Sequence, residues 1–197
     1  MFYIIIRGFL RFIFFFLGLR SEGLHNLPSK GPVIIAANHV SNWDPVVVAL
    51  VSNRPIYFMG KSQLFKYKIL DILLTKLHSF PVKKGSADRK AIRQALKVLE
   101  DGQVLGIFPE GARNKTGEEM KAQSGVALIA LKSGAPIVPV ACLGTRCILP
   151  WGWRKPLLVR LGEPVHLDEY GEQKANSANL EKLSNVIMNN INQLLNK

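Results

Sequence analysis

The sequence predicts an α/β fold, one domain with a central sheet flanked by helices, preceded by an N-terminal helix. Three observations predict it. Short β-branched apolar runs alternate with helix-like segments from Val33 onward, the pattern of a layered domain with a largely parallel sheet. The 197 residues are 48% apolar and only 20% charged, which excludes a disordered chain and suits one domain of about 100–200 residues. No stretch reaches the roughly 20 uninterrupted apolar residues of a membrane span, which excludes a polytopic membrane protein.

The elements are justified in chain order. MFYIIIRGFLRFIFFFLGLR opens the chain. Arg7 and Arg11 stand one helical turn apart on one face, and aromatic residues cover the rest. The uninterrupted apolar run Phe12 to Leu19 reaches only about 12 Å as a helix, against a hydrocarbon core of about 30 Å. A span would also bury both arginines, at about 2.5–3.5 kcal/mol each. A signal peptide lacks its small-x-small cleavage site after Leu19. An interfacial helix meets neither objection: Arg7 and Arg11 reach lipid phosphates while Phe2, Phe9, Phe12, Phe14, Phe15 and Phe16 enter the acyl boundary. Residues 1–20 are therefore expected to attach the protein to a membrane as a monotopic segment, and residues 21–197 to form the α/β domain.

After the turn Leu27-Pro28-Ser29-Lys30-Gly31-Pro32, Val33 to Ala37 reads as a buried strand. Asp44-Pro45 reads as a helix cap followed by proline in the first turn, leading into Val46 to Val51. Ile56 to Met59 is a second strand, Tyr67 to Lys76 a helix, and Phe80-Pro81-Val82 a short strand. Ser86 to Glu100 is an amphipathic helix ended by Asp101-Gly102. Val104 to Phe108, Ile137 to Ala141 and Leu157 to Leu161 are further strands. Gly125 to Lys132 and Leu180 to Leu195 are helices.

Lys and Arg number 26 against 14 Asp and Glu, a net charge of +12, which calls for an anionic partner. Arg89, Arg93 and Lys97 recur along one face of the Ser86–Glu100 helix, with Lys90 beside them. That face is either solvated or a landing surface for anionic lipid or an acidic carrier protein. Lys61, Lys66, Lys68 and Lys76 lie among Leu64, Phe65, Tyr67, Ile69, Leu70, Ile72, Leu73 and Leu74. This mixture suits either a core helix or a second membrane-contacting segment. The aromatic residues concentrate in the N-terminal stretch rather than between basic ones, so nucleic acid is not the expected partner. Cys142 and Cys147 are the only cysteines and read as inert thiols in a reducing compartment. His25, His78 and His166 show no metal-ligand spacing.

The candidate chemistry sits after strands. Asn38-His39 through Asp44 puts an imidazole at a strand end and a carboxylate five positions on, a general base with its orienting partner or, read blandly, a turn and a helix cap. Phe108-Pro109-Glu110-Gly111-Ala112-Arg113 follows another strand and should open on the same sheet edge, where ligands of α/β proteins bind. It supplies a carboxylate, a flexible glycine and a guanidinium suited to phosphate. Phe80-Pro81-Val82-Lys83-Lys84-Gly85 adds two ammonium groups after a third.

These boxes resemble those of the glycerolipid acyltransferase superfamily. Asn38-His39 to Asp44 is similar to its His-x4-Asp box. Phe108-Pro109-Glu110-Gly111-Ala112-Arg113 is similar to its Phe-Pro-Glu-Gly-Thr/Ser-Arg box, with Ala112 in the hydroxyl position, and Ile137-Val138-Pro139-Val140 to its proline-containing block. The resemblance implies acyl transfer from an acyl thioester to the free sn-2 hydroxyl of lysophosphatidic acid, without a covalent enzyme intermediate. His39 would be the base and Asp44 its orienting partner, while Glu110, Gly111 and Arg113 hold the glycerol-phosphate. Lys84 stands where the family's phosphate-binding Arg is common, with Lys83 before it, and His78 where a Gly is common. Lys121 is a further candidate phosphate contact. The resemblance implies no bound cofactor or metal, with acyl-CoA or acyl-acyl carrier protein as donor, at the cytoplasmic face of the cell membrane. Acylation of glycerol 3-phosphate or another lysophospholipid remains open, as does, in a different class, a non-catalytic anionic-lipid-binding protein.

Overall fold

A computed structural model describes residues 2–83, 88–114, 122–147, 156–168 and 176–197, without the Cys147 side chain. Its strands are β1 (Arg20–Glu22), β2 (Val33–Ala37), β3 (Ile56–Lys61), β4 (Ser79–Val82), β5 (Val104–Ile107), β6 (Ile137–Leu143) and β7 (Leu158–Leu161). The α-helices are α1 (Phe2–Phe16), α2 (Asp44–Val51), α3 (Lys68–Lys76), α4 (Arg89–Glu100), α5 (Ser124–Ser133) and α6 (Ser177–Asn196). The strands form one sheet in the order β1-β7-β6-β2-β5-β3-β4. Neighbours run parallel except β6 and β7, so β2 to β6 all end on the same edge.

The predicted α/β fold is the one observed, and β2 shows why. Its five residues are all buried. Val33, Ile35 and Ala37 join the core layer beneath α1 and α2, while Ile34 and Ala36 join the layer shared by α4, α5 and α6. Side chains alternate across a strand, so a strand covered on both faces must be apolar at every position. Each fully buried Val or Ile stabilises the fold by about 1.5–3 kcal/mol.

Two local expectations change in the structure, at Asp44 and in α1, and two further elements gain detail. Asp44 does not cap α2; Trp43 occupies the position before the helix, with helical backbone and no side-chain cap, while Asp44 turns back toward His39. The described part of α4 begins at Arg89, capped by Asp88, whose Oδ1 accepts from the Lys90 and Ala91 N–H groups; the expected start at Ser86 lies outside the described residues. β1 has no apolar signal and exists by pairing with β7, where Arg160 Nε meets Glu22 Oε2 at 2.6 Å.

The second change concerns α1. Phe14 is buried and its ring lies 5.7 Å from Trp43, with Leu10, Ile13 and Leu17 against the same core. Arg7 does not reach outward: its Nε donates to the Ala49 carbonyl at 3.0 Å and its Nη2 to the Ser52 carbonyl. A guanidinium there satisfies carbonyls left open at the end of α2 and complements the helix dipole. Arg11 remains exposed. No helix among the described residues is long and apolar enough to cross a membrane.

His78, between α3 and β4, has φ +61°, the only described non-glycine residue in the left-handed region. The conformation costs a side chain that glycine would spare. The imidazole is held in place by stacking between Tyr3 and Tyr57, at 4.6 and 4.7 Å.

Candidate active site

His39 lies two residues beyond β2, where the chain leaves the sheet. Its Nδ1 is 2.9 Å from Asp44 Oδ2; the His39 side chain is 19% exposed and that of Asp44 is fully buried. The same Oδ2 accepts from the Val40 and Ser41 backbone N–H groups, each at 2.7 Å. Three donors thus converge on one oxygen, which fixes the carboxylate before it fixes the imidazole. With Nδ1–H donated to Asp44, Nε2 is the basic nitrogen.

A second loop closes on the first. Glu110, three residues past β5, accepts the His39 backbone N–H at 3.1 Å through Oε1, and the Asn114 N–H donates to the His39 carbonyl at 2.7 Å. Phe108 stacks on the His39 ring at 4.2 Å and is itself stacked on Phe58 at 5.9 Å. Burial pushes the Glu110 carboxyl above its usual range, an effect opposed by the His39 N–H and the nearby imidazole. Gly111 takes φ +64°, and a Cβ there would meet the Gln123 side chain at 2.6 Å. The amide end of Gln123 could move aside, so it is the left-handed backbone that favours glycine here.

The third side comes from β6. Asn38, buried at the end of β2, accepts the Cys142 N–H at 2.6 Å through Oδ1 and donates Nδ2 to the Cys142 carbonyl at 3.2 Å. The Cys142 thiol is fully buried, and burial pushes its pKa well up. Beyond β6, Arg146 Nη2 donates to the Asn114 carbonyl, and its charge favours ionised Glu110.

His39, Asp44, Glu110 and Gly111 are therefore brought together from two loops. Arg113 is exposed and adjoins Asn114 in the same loop. Lys83 is exposed just past β4, its backbone N–H bonded to Asp88 Oδ2 at 3.0 Å. Lys84 and Lys121 lie outside the described residues. Sequence reasoning missed the roles of Asn38 and Arg146. Each carried a signal: a polar residue ending an apolar strand, and a basic residue just after a strand end. Among the described residues no group of three His, Cys, Asp or Glu side chains is placed to hold a metal.

The Acyltransferase family model matches residues 18–143, which include both boxes. A 1-acyl-sn-glycerol-3-phosphate acyltransferase of Bacillus subtilis is 30% identical over 182 residues, 91% of this chain and 89% of that protein. Its counterpart in Borreliella burgdorferi is 33% identical over 125 residues, 62% of this chain and 50% of that protein. The crystal structure of the 1-acyl-sn-glycerophosphate acyltransferase PlsC from Thermotoga maritima superposes with a TM-score of 0.73 at 25% identity. The match covers 99% of this chain and 80% of that one.

Proposed function

The chain belongs to the Acyltransferase family, and from that premise we propose that it acylates the sn-2 hydroxyl of lysophosphatidic acid from an acyl thioester, giving phosphatidic acid. The observation that carries this reading is the His39–Asp44 pair at 2.9 Å on the sheet edge, partly open at the imidazole and closed at the carboxylate. His39 Nε2 takes the hydroxyl proton as the oxygen attacks the thioester carbonyl. The C–S bond then breaks and the imidazolium returns the proton to the leaving thiolate. Asp44 keeps Nδ1–H in place and stabilises the imidazolium between the two steps.

Arg113, with Gly111 and Glu110 in the same loop, is assigned to the glycerol-phosphate, and Lys83, Lys84 and Lys121 to the same charge. Acyl-CoA or acyl-acyl carrier protein is the donor, and no resident cofactor takes part. Residues 1–20 attach residues 21–197, the acyltransferase domain, to the cytoplasmic face of the cell membrane, with the exposed phenylalanines of α1 in the lipid.

The test is acyl transfer from both donors onto lysophosphatidic acid and onto glycerol 3-phosphate, with His39→Ala in parallel. Turnover on lysophosphatidic acid that vanishes in the variant supports the reading. Turnover on glycerol 3-phosphate alone would reassign the acceptor, and full activity of the variant would remove His39 as the base.

A further inference from the structure

We propose that the segment Ser62–Lys76 is a second lipid-inserting element, joined to α1 as one platform for an anionic leaflet. The proposal rests on the reading that α1 enters lipid and extends it to a segment some fifty residues away in sequence. Every large apolar side chain recorded as exposed among the described residues lies in one of two stretches. One is α1, with Phe2, Ile4, Ile5, Phe9, Phe12, Phe15 and Phe16; the other is Leu64 to Leu73. In the second, Ile69 is 82% and Tyr67 68% exposed, and Ile72, Leu64, Leu70 and Leu73 are exposed as well. Neither α3 nor the short 3-10 helix before it contributes a buried residue.

A helix packed in a core would bury one stripe. A water-facing helix of nine residues would be polar and too short to persist alone. α3 is neither, and an exposed apolar surface of this extent marks an interaction face.

The fold links the two stretches. The Tyr3 ring stacks on His78 and His78 on Tyr57, and Lys76 Nζ lies 5.3 Å from the centroid of the Phe2 ring. The start of α1 therefore meets the end of α3.

Charge selects the occupant. Lys61, Lys66, Lys68 and Lys76 are exposed along this segment, against the single carboxylate of Asp71, and Arg11 and Arg20 are exposed on the α1 side. Lysines at the borders of an apolar face place their stems along the acyl boundary and their ammonium groups at lipid phosphates. A second copy of this chain would bring the same cations against one another across a symmetric contact.

The experiment uses the full chain with phosphatidylcholine–phosphatidylglycerol vesicles carrying brominated acyl chains, which quench tryptophan only on contact. Ile69→Trp and Phe9→Trp are compared with the parent chain, whose three tryptophans set the background. New emission quenched in both variants is the expected result. Quenching in Phe9→Trp but not in Ile69→Trp overturns the proposal and leaves α1 attachment standing, whereas quenching in neither overturns both. In parallel, Ile69→Glu/Ile72→Glu should lower partitioning to anionic vesicles at least tenfold. Turnover on detergent-dispersed lysophosphatidic acid should stay within twofold, which also reports that the variant folds. Unchanged partitioning, or a dimer in solution that this pair of substitutions converts to monomer, would count against a lipid occupant.

Discussion

Glu110 holds His39 by its backbone, not its ring: Oε1 accepts the His39 N–H at 3.1 Å. The loop after β5 thereby fixes where the loop after β2 presents its imidazole. The same carboxylate is buried, and burial holds its pKa above the ordinary value. For a group raised on folding, the native state binds the proton more tightly. Its contribution is fully present below the unfolded pKa and lost as pH rises through the folded one. Urea denaturation between pH 4 and 8 should therefore show a fall in stability just above the ordinary Glu range that Glu110→Gln lacks. Parallel curves for the two proteins would show that the carboxyl carries no such linkage.

Asp44→Asn should cost about 10²–10⁴-fold in turnover, because an amide no longer holds Nδ1–H with a negative charge and the imidazole loses its orientation. Adding His39→Ala should cost little more, since the two act as one unit. Independent, multiplicative losses in the double variant would refute the pairing.

Arg7 and Arg11 separate a structural role from a membrane role. Arg7→Gln removes bonds to the Ala49 and Ser52 carbonyls and should destabilise the fold by about 1–3 kcal/mol with little effect on vesicle binding. Arg11→Gln should do the reverse. Thermal melts and vesicle sedimentation of both variants decide the assignment.

Gly106 reaches the site through two aromatic rings. A Cβ on Gly106 would stand 2.4 Å from Phe58 Cε1, and Phe58 stacks on Phe108, which stacks on His39. Gly106→Ala should destabilise by about 1–3 kcal/mol through overpacking and lower kcat more than it changes KM. A variant with parental kcat would show that the stack does not steer the imidazole.

Much of this was legible in the residues. Val33 to Ala37 announced a central strand because both its faces are covered, and the His39 and Glu110 boxes announced a shared edge because both follow parallel strands. Local signals failed where distant partners decide. Asp44 reads from the residues either as a helix cap or as the partner of His39, and the backbone course of residues 39–41, which brings three donors onto its carboxylate, decides for the second. Arg7 and Phe14 looked equivalent to their exposed neighbours, and only the docking of α1 on α2 distinguishes them.

By itself, then, the sequence determined the α/β class, the family boxes and the concentration of aromatic and basic residues in the first twenty positions. Those features follow from period, composition and spacing, which are local. The tertiary structure alone decided that Asn38 ties β2 to β6, that Glu110 grips the His39 backbone, and that the start of α1 meets the end of α3 beside a stacked His78. Each is a contact between residues far apart in the chain, and such contacts depend on strand order and helix docking, which no local pattern encodes.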